Sequence, residues 1–391
     1  MGLKKRSVFG VLALAVGVLL PSPALAVAAP VPVASGFDSP RGVAFFHGKL
    51  VVGEAGTGGP RCIPASESNP LTCFGRTSRI SWVNTTTGTH TPLVDHLFSV
   101  AEFHAPNQPP DTLGVGGLSA RGGTLMAIMG VFPQAFENYP CAANDSACQA
   151  DVAAARQQAG ALLSVKGNGS WRKVAGVGAY DYDYTATIPG QEHDANPNGV
   201  LAANGGTYVA DAGSNTLDFV SNGGRITVLH YFPGRYPNFP SDEVPTCIAR
   251  AGDSLWVATL AGNLFRVHGR SATQVANPML AHVTGCTSDG ENVYFVNMWS
   301  TPGFPNPFSG NIVQFNAETH TSSVIAAGLN FPNMDTVGPD GNLYFSADSV
   351  CPHDGIANFC PNGGTVWKLA LAHDGDEHGD GGDGGDNNQN N

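Results

Sequence analysis

The side chains with chemistry to offer are carboxylates and amides that recur at corresponding places along the chain. Glu54 ends the run Leu50-Val-Val-Gly-Glu54, Asp211 ends Thr207-Tyr-Val-Ala-Asp211, and Asn297 ends Val293-Tyr-Phe-Val-Asn297. Met129, Thr259 and Ala347 hold the same place in three further runs. A second set clusters just upstream of small-residue segments: Arg41, Asn198 and Thr246, with Asp194, Asn196, Glu243, Asn333 and Asp335 close by. Hard oxygen donors of this kind suit Ca²⁺ or another divalent cation, which takes six to eight oxygens. The same carboxylates can serve as general acid and base in a hydrolysis. They can also cap turns through backbone N–H groups, or pair with Arg41. His193 in Gln191-Glu-His-Asp194 and His353 in Cys351-Pro-His-Asp354 are further candidates. Nucleophile elbows, P-loops and dinucleotide-type glycine motifs do not occur.

Whether these residues meet depends on the elements that carry them. The segments are short runs of β-branched and aromatic residues set between Gly, Asn and Asp clusters, the signature of strands and turns. Gln149 to Ala159 is the one Ala-rich stretch that reads as helix. Self-comparison shows one unit repeating: a small-residue strand, a Gly turn, an alternating strand, then two more strands. Gly42-Val-Ala-Phe leads to Leu50; Gly199-Val-Leu-Ala leads to Thr207; Asp335-Thr-Val-Gly leads to Leu343. Units also begin near Gly117, Cys247 and Gly285, each start lying eight residues before the second strand. Six four-strand units predict an all-β six-bladed β-propeller of antiparallel blades. A β-sandwich or β-helix also has short strands, but predicts no such repeat. The sixth unit lacks a fourth strand, and Val31-Pro-Val-Ala34 belongs to no unit. That N-terminal segment is expected to complete the sixth blade and close the ring.

Unit starts are spaced by 75, 82, 48, 38 and 50 residues, so the first two blades carry large insertions. The insertions 57–76, 131–160, 301–310 and 350–363 all fall between second and third strands. The long connectors 103–112, 181–198 and 232–244 all join blades. Both kinds of loop share one face of a propeller, and enlarged loops on a rigid scaffold are where binding concentrates. Tyr180, Tyr182, Tyr184, Phe232, Tyr236, Phe239, Trp299, Phe304 and Phe308 give that face an aromatic rim suited to a flat ligand or a protein.

The start of the chain reads as a secretory leader over residues 1–26: Lys4-Lys5-Arg6, an apolar run from Val8 to Leu20, and Ala24-Leu-Ala26. That run is too short to span a bilayer, so no membrane span is expected after its removal. The propeller is expected over 27–372, with a disordered acidic tail over 373–391. In an oxidising compartment eight cysteines read as disulfides. Local spacing pairs Cys62 with Cys73, Cys141 with Cys148 and Cys351 with Cys360, leaving Cys247 and Cys286. Zinc is disfavoured because C-x-x-C and H-x-x-x-H spacings are missing. The chain carries a formal charge of −12; without the leader's three cations and the tail's six acids about −9 remains on the body. An acidic body without a basic stripe argues against nucleic acid.

Ser35-Gly-Phe-Asp-Ser-Pro-Arg-Gly-Val-Ala-Phe45 with Val51-Val-Gly-Glu-Ala-Gly56 resembles the opening blade of the ScyD/ScyE family. Asp194-Ala-Asn-Pro-Asn-Gly-Val200 with Tyr208-Val-Ala-Asp-Ala-Gly-Ser-Asn215 is similar to that family's third blade. The likeness extends loosely from Gly36 to Leu371. It implies an exported propeller akin to NHL-repeat and SMP-30-like folds, the latter including lactonases that hold a divalent metal at the channel mouth; by that likeness Glu54, Asn198 and Asp211 are the candidate metal ligands. Blade four, with the compact Leu255-Trp-Val-Ala-Thr-Leu-Ala-Gly-Asn-Leu264, departs from the family pattern. The expected function is binding of a small molecule or an extracytoplasmic protein on the loop-enlarged face. The alternatives are a metal-assisted lactonase-like hydrolase, a tailoring enzyme for an exported aromatic metabolite, and a pure interaction scaffold.

Overall fold

The computed structural model describes residues 29–66, 70–104, 108–234, 242–300, 306–357 and 359–372. The leader and the acidic tail lie outside the described residues, as do Tyr236, Phe239 and Phe304 of the expected aromatic rim. Six antiparallel sheets, each built on four main strands, surround a common axis. The innermost strands are Pro40–Phe46, Val115–Arg121, Pro197–Ala203, Pro245–Ala251, Val283–Ser288 and Asp335–Val337. Strands two, three and four step outward in order in blades one to five. In blade six the outer strand is Val31–Phe37, which pairs antiparallel with Gly364–Leu369. Ala34 lies opposite Val366, as expected from the unpaired apolar segment at the N-terminus.

The repeated glycine at the start of the inner strands has a steric cause. A Cβ on Gly42 would sit 2.5 Å from the Gly116 carbonyl oxygen in the next blade, and one on Gly199 would sit 2.5 Å from that of Thr246. Neighbouring inner strands converge on the axis, and only a bare Cα lets their backbones approach so closely. Just before this point the inner strand bulges in each of blades one to five, as at Pro197/Gly199 and Val283/Gly285. A bulge bends a strand and re-aims the side chains beside it.

Blades stack through apolar faces. Ile128, Leu162 and Val177 of blade two meet Val209 and Val220 of blade three. Trp256 of blade four meets Phe295 and Phe315 of blade five. Away from the outer strands both faces of a blade are covered, so a lone blade would expose both, and stacking is what makes each sheet stable.

Among the described residues two α-helices are present. α1 (Ser146–Gln158) begins three residues before the expected helix, with Asp145 capping it by accepting from Cys148 N. α2 (Val177–Thr185) was not expected. Its sequence Tyr180-Asp-Tyr-Asp-Tyr184 has poor helix propensity, and packing against blade three overrides that preference. The pairs Cys62–Cys73, Cys141–Cys148, Cys247–Cys286 and Cys351–Cys360 are all bonded. Cys247 and Cys286 join the inner strands of blades four and five. Among the described residues no helix is long and apolar enough to cross a membrane.

The insertions build a raised platform on one side. Strands three and four of blade one, Leu71–Val83 and His90–Phe103, run on beyond the blade as an arm, paired with the short strand Arg61–Ile63. Phe74 and Phe98 of that arm pack on Phe136 from the blade-two insertion. Arg61 and Arg76 both reach Asp151 on α1, and Arg61 also reaches Asp145. The two largest insertions thus stabilise one another.

Candidate functional site

Glu54, Asp211, Thr259 and Asn297 are all fully buried at the ends of their second strands. Each fastens the connector that enters its own blade. A Glu54 oxygen accepts from Asp38 N at 2.9 Å, Asp211 Oδ1 accepts from Asn196 N at 2.7 Å, and Asn297 Oδ1 accepts from Ala281 N at 3.0 Å. In blade four the same job is done from the connector side. Glu243 accepts from Asn263 Nδ2 at 2.7 Å and from Thr259 Oγ1 at 3.4 Å. In blades one, three and five the side chain that ends the second strand thus gives an acceptor to a connector N–H just upstream of the inner strand, since buried N–H groups need acceptors.

A second set of hydrogen bonds near the axis ties inner strands to the next blade or to the connector leading to it. Arg41 donates to the Thr112 carbonyl, Asn198 to that of Thr246, Thr246 to that of Val283, and Thr284 to that of Asn333. Ser346 donates to the Arg41 carbonyl, joining blade six to blade one. Arg41 also faces Asp111 at 3.6 Å; burial lowers its pKa, and Asp111 opposes that shift.

The expected metal ligands therefore do not form one cage. Ser81 and the Asp38 N–H occupy the Glu54 carboxylate, and Arg79 faces it at 3.4 Å. Burial raises the Glu54 pKa, and these three partners oppose the shift. Asn198 turns its amide to blade four, and Asp211 Oδ1 also accepts from Gly213 N and Ser214 N. Among the described residues no three His, Cys, Asp or Glu side chains are placed to hold a metal ion together. A divalent cation does not fit this set.

Blade three gathers the acids instead. Asp181 on α2, Asp211 and Asp218 are fully buried and face one another. Four of their oxygens have no conventional donor: both of Asp181, Oδ2 of Asp211 and Oδ1 of Asp218. Burial raises all three pKa values, and the mutual repulsion of like charges lifts Asp181 well above the usual carboxylate range. Asp218 is pushed up to about 7. Carboxyls this close share protons, because neighbouring negative charges cannot all persist away from water. Nearby, Asp194 is raised to about 6, chiefly by burial and against its hydrogen bond from Ala195 N. Asn196 Oδ1 accepts from Val131 N at 3.1 Å, tying the insertion of blade two to this corner. His193 stacks on Tyr182, which stacks in turn on Phe132.

At the blade-one and blade-six corner lies a dyad that the sequence reading missed. His353 Nδ1 lies 2.8 Å from Asp38 Oδ1, and its backbone N donates to the same oxygen at 2.9 Å. Arg79 pairs with the other Asp38 oxygen. The His353 side chain is 63% exposed, so its far nitrogen faces solvent. The hydrogen bond to Asp38 and its charge raise the imidazole pKa. Asp38 directly precedes Ser39-Pro40-Arg41, a place matched by the acid-rich stretch before Pro197, and that parallel was the available signal.

Asp335 does not belong to the loop face. It takes its place in the wall of the axial channel with Val43, Leu118, Val200, Ile248 and Cys286.

No known family pattern matches the sequence, and no curated protein is similar to it. Solved structures are similar to it at low sequence identity. A protein of unknown function from Bacteroides thetaiotaomicron is 8% identical, with a TM-score of 0.51 over 87% of this chain and 72% of that one. The calcium-binding protein regucalcin from Agrobacterium tumefaciens is 11% identical, with a TM-score of 0.48 over 88% and 94%. Virginiamycin B lyase from Staphylococcus aureus is 12% identical, with a TM-score of 0.45 over 88% and 98%. At 8% identity the first of these speaks for a shared fold alone.

Proposed function

We propose that the chain is an extracytoplasmic binding propeller of the ScyD/ScyE type, which takes an apolar or aromatic molecule, or a protein bearing such groups, on its loop-enlarged face. The supporting observation is where large apolar side chains stay exposed. Of the seven large apolar residues exposed among the described ones, Leu71 on the arm, Phe103, Tyr180 on α2, Met279 and Phe308, 38–61% exposed, lie in loop-face segments, and the other two, Val31 and Val324, lie on outer strands. Exposed apolar groups on a rigid platform are typical of a binding surface. Four disulfides agree with an oxidising compartment.

The test is a thermal-shift screen of aromatic metabolites, glycans and hydrophobic peptides, with and without Ca²⁺. It is repeated on the variant Leu71→Ser, Phe103→Ser, Tyr180→Ser, Phe308→Ser. Stabilising compounds should lose their effect on the variant. Compounds that stabilise both proteins equally would remove the loop face from the account.

A second reading, a hydrolase, draws on the Asp38–His353 pair. A buried carboxylate that orients an exposed imidazole is the arrangement of a general base. His353→Gln should then abolish hydrolysis of a lactone or ester panel while leaving binding intact. Unchanged turnover would reject that role.

A further inference from the structure

The channel along the axis is not uniform. At its waist one side chain per blade projects from the inner strand, at the place opposite Val52, Ala127, Val209, Val257, Phe295 and Phe345 of the second strands. Five of these six collar residues are Val43, Leu118, Val200, Ile248 and Cys286, the last held in its disulfide to Cys247. The sixth is Asp335. Both its carboxyl oxygens are buried without a hydrogen-bond partner. The collar leaves a cavity of about 30 Å³, room for one water-sized group.

Below the collar, on the side away from the loops, the channel widens into a vestibule of about 290 Å³. All six inner strands line it. Phe45, Leu201 and Val337 supply apolar wall, Thr287 and Ser288 supply hydroxyls, and Arg250 stands at the rim. The two cavities adjoin at the six collar side chains, which line both.

An unpaired acid at the end of an apolar funnel selects its ligand by chemistry. Anions are repelled. A Ca²⁺ ion needs six to eight oxygens, and the collar offers one carboxyl. A guanidinium is too broad for space that holds one water. A primary ammonium is water-sized, carries three donors and no acceptor, and forms a strong charge-assisted hydrogen bond with a carboxylate.

We propose that the axial channel is a binding site for a small primary amine, entered from the turn face, with the ammonium in the collar against Asp335 and the apolar body in the vestibule. On binding, the Asp335 carboxyl gives its proton to solvent, and the resulting carboxylate pairs with the incoming ammonium. Besides Asp335, the ionisable group lining this space is Arg250 from blade four, which leans over the Tyr208 ring; Tyr294 from blade five, whose hydroxyl is bound to Asp289, lies outside the lining but feels the Asp335 charge. Neither offers Asp335 a hydrogen bond. The site stands apart from the loop face and does not depend on the role given to it.

Calorimetry with 2-phenylethylamine and its neutral counterpart 2-phenylethanol tests this on the full protein at pH 6. The amine should bind at least ten-fold more tightly than the alcohol. Asp335→Asn, whose fold is checked by circular dichroism, should erase that preference. Runs in two buffers of different ionisation enthalpy should show about one proton released per amine bound. The loop-face variant should bind the amine unchanged. Equal affinity for amine and alcohol, binding that survives Asp335→Asn, or binding without proton release would each overturn the proposal.

Discussion

Replacing Asp335 by Val would give all six collar positions apolar side chains. In the native protein this carboxyl is buried and both its oxygens lack partners. An unsatisfied buried polar group costs about 1–3 kcal/mol relative to an apolar group of similar shape. Valine is slightly larger than Asp, and the collar cavity of about 30 Å³ accommodates the difference without overpacking. Asp335→Val should therefore stabilise the protein by about 1–3 kcal/mol at pH 4. With an unfolding entropy of about 2.1 cal/mol/K per residue over roughly 340 residues, that corresponds to about 1.5–4 °C in Tm. The gain should widen with pH. Burial raises the Asp335 pKa well above its unfolded value, so the native state is favoured while the group stays protonated. It loses stability as pH climbs from the ordinary carboxylate range towards the raised pKa. Valine has no such slope. Differential scanning calorimetry at pH 4, 5.5 and 7, with disulfides intact, reads both effects. A loss of stability, or a difference that narrows towards pH 7, would show that the carboxyl has a partner and refute the reasoning.

Gly199→Ala would place a methyl 2.5 Å from the Thr246 carbonyl oxygen. It should cost about 1–3 kcal/mol in urea unfolding, as overpacking does. A neutral result would mean that the inner strands have slack. The acid cluster of blade three makes the wild-type Tm fall between pH 4 and pH 7, because Asp218 titrates near 7 in the folded protein and far lower when unfolded. Asp218→Asn should flatten that decline in a pH series of melting curves; an unchanged slope would clear the cluster of responsibility. Breaking Cys247–Cys286 with a double Ser substitution frees a loop of sequence separation 39. It should cost about 3–4 kcal/mol by chain entropy, measured by denaturant unfolding. A loss below ~1 kcal/mol would mean that stacked blades confine the chain without it.

The sequence by itself determined whatever depends on a local period or a local count. Gly42, Gly117, Gly199 and Gly285 recur because inner strands pack backbone to backbone, so the repeat was visible as a column of glycines. Strand alternation gave the blades, and the orphan segment at Val31 pointed to its place beside Gly364–Leu369. Cysteine spacing was enough for the four bonds. The side of the insertions followed from strand order alone.

Contacts between residues far apart in sequence were decided only by the tertiary structure. Asp181 sits on a helix that its own sequence disfavours, and only packing on blade three sets it against Asp211 and Asp218. His353 meets Asp38 across 315 positions of chain. Glu54, Asn198 and Asp211 were legible as polar residues near the axis. Their partners were not: connectors upstream of the inner strands supplied backbone N–H groups, and a neighbouring blade supplied a carbonyl. A carboxylate's chemistry depends on what faces it, and in a propeller that neighbour belongs to another blade.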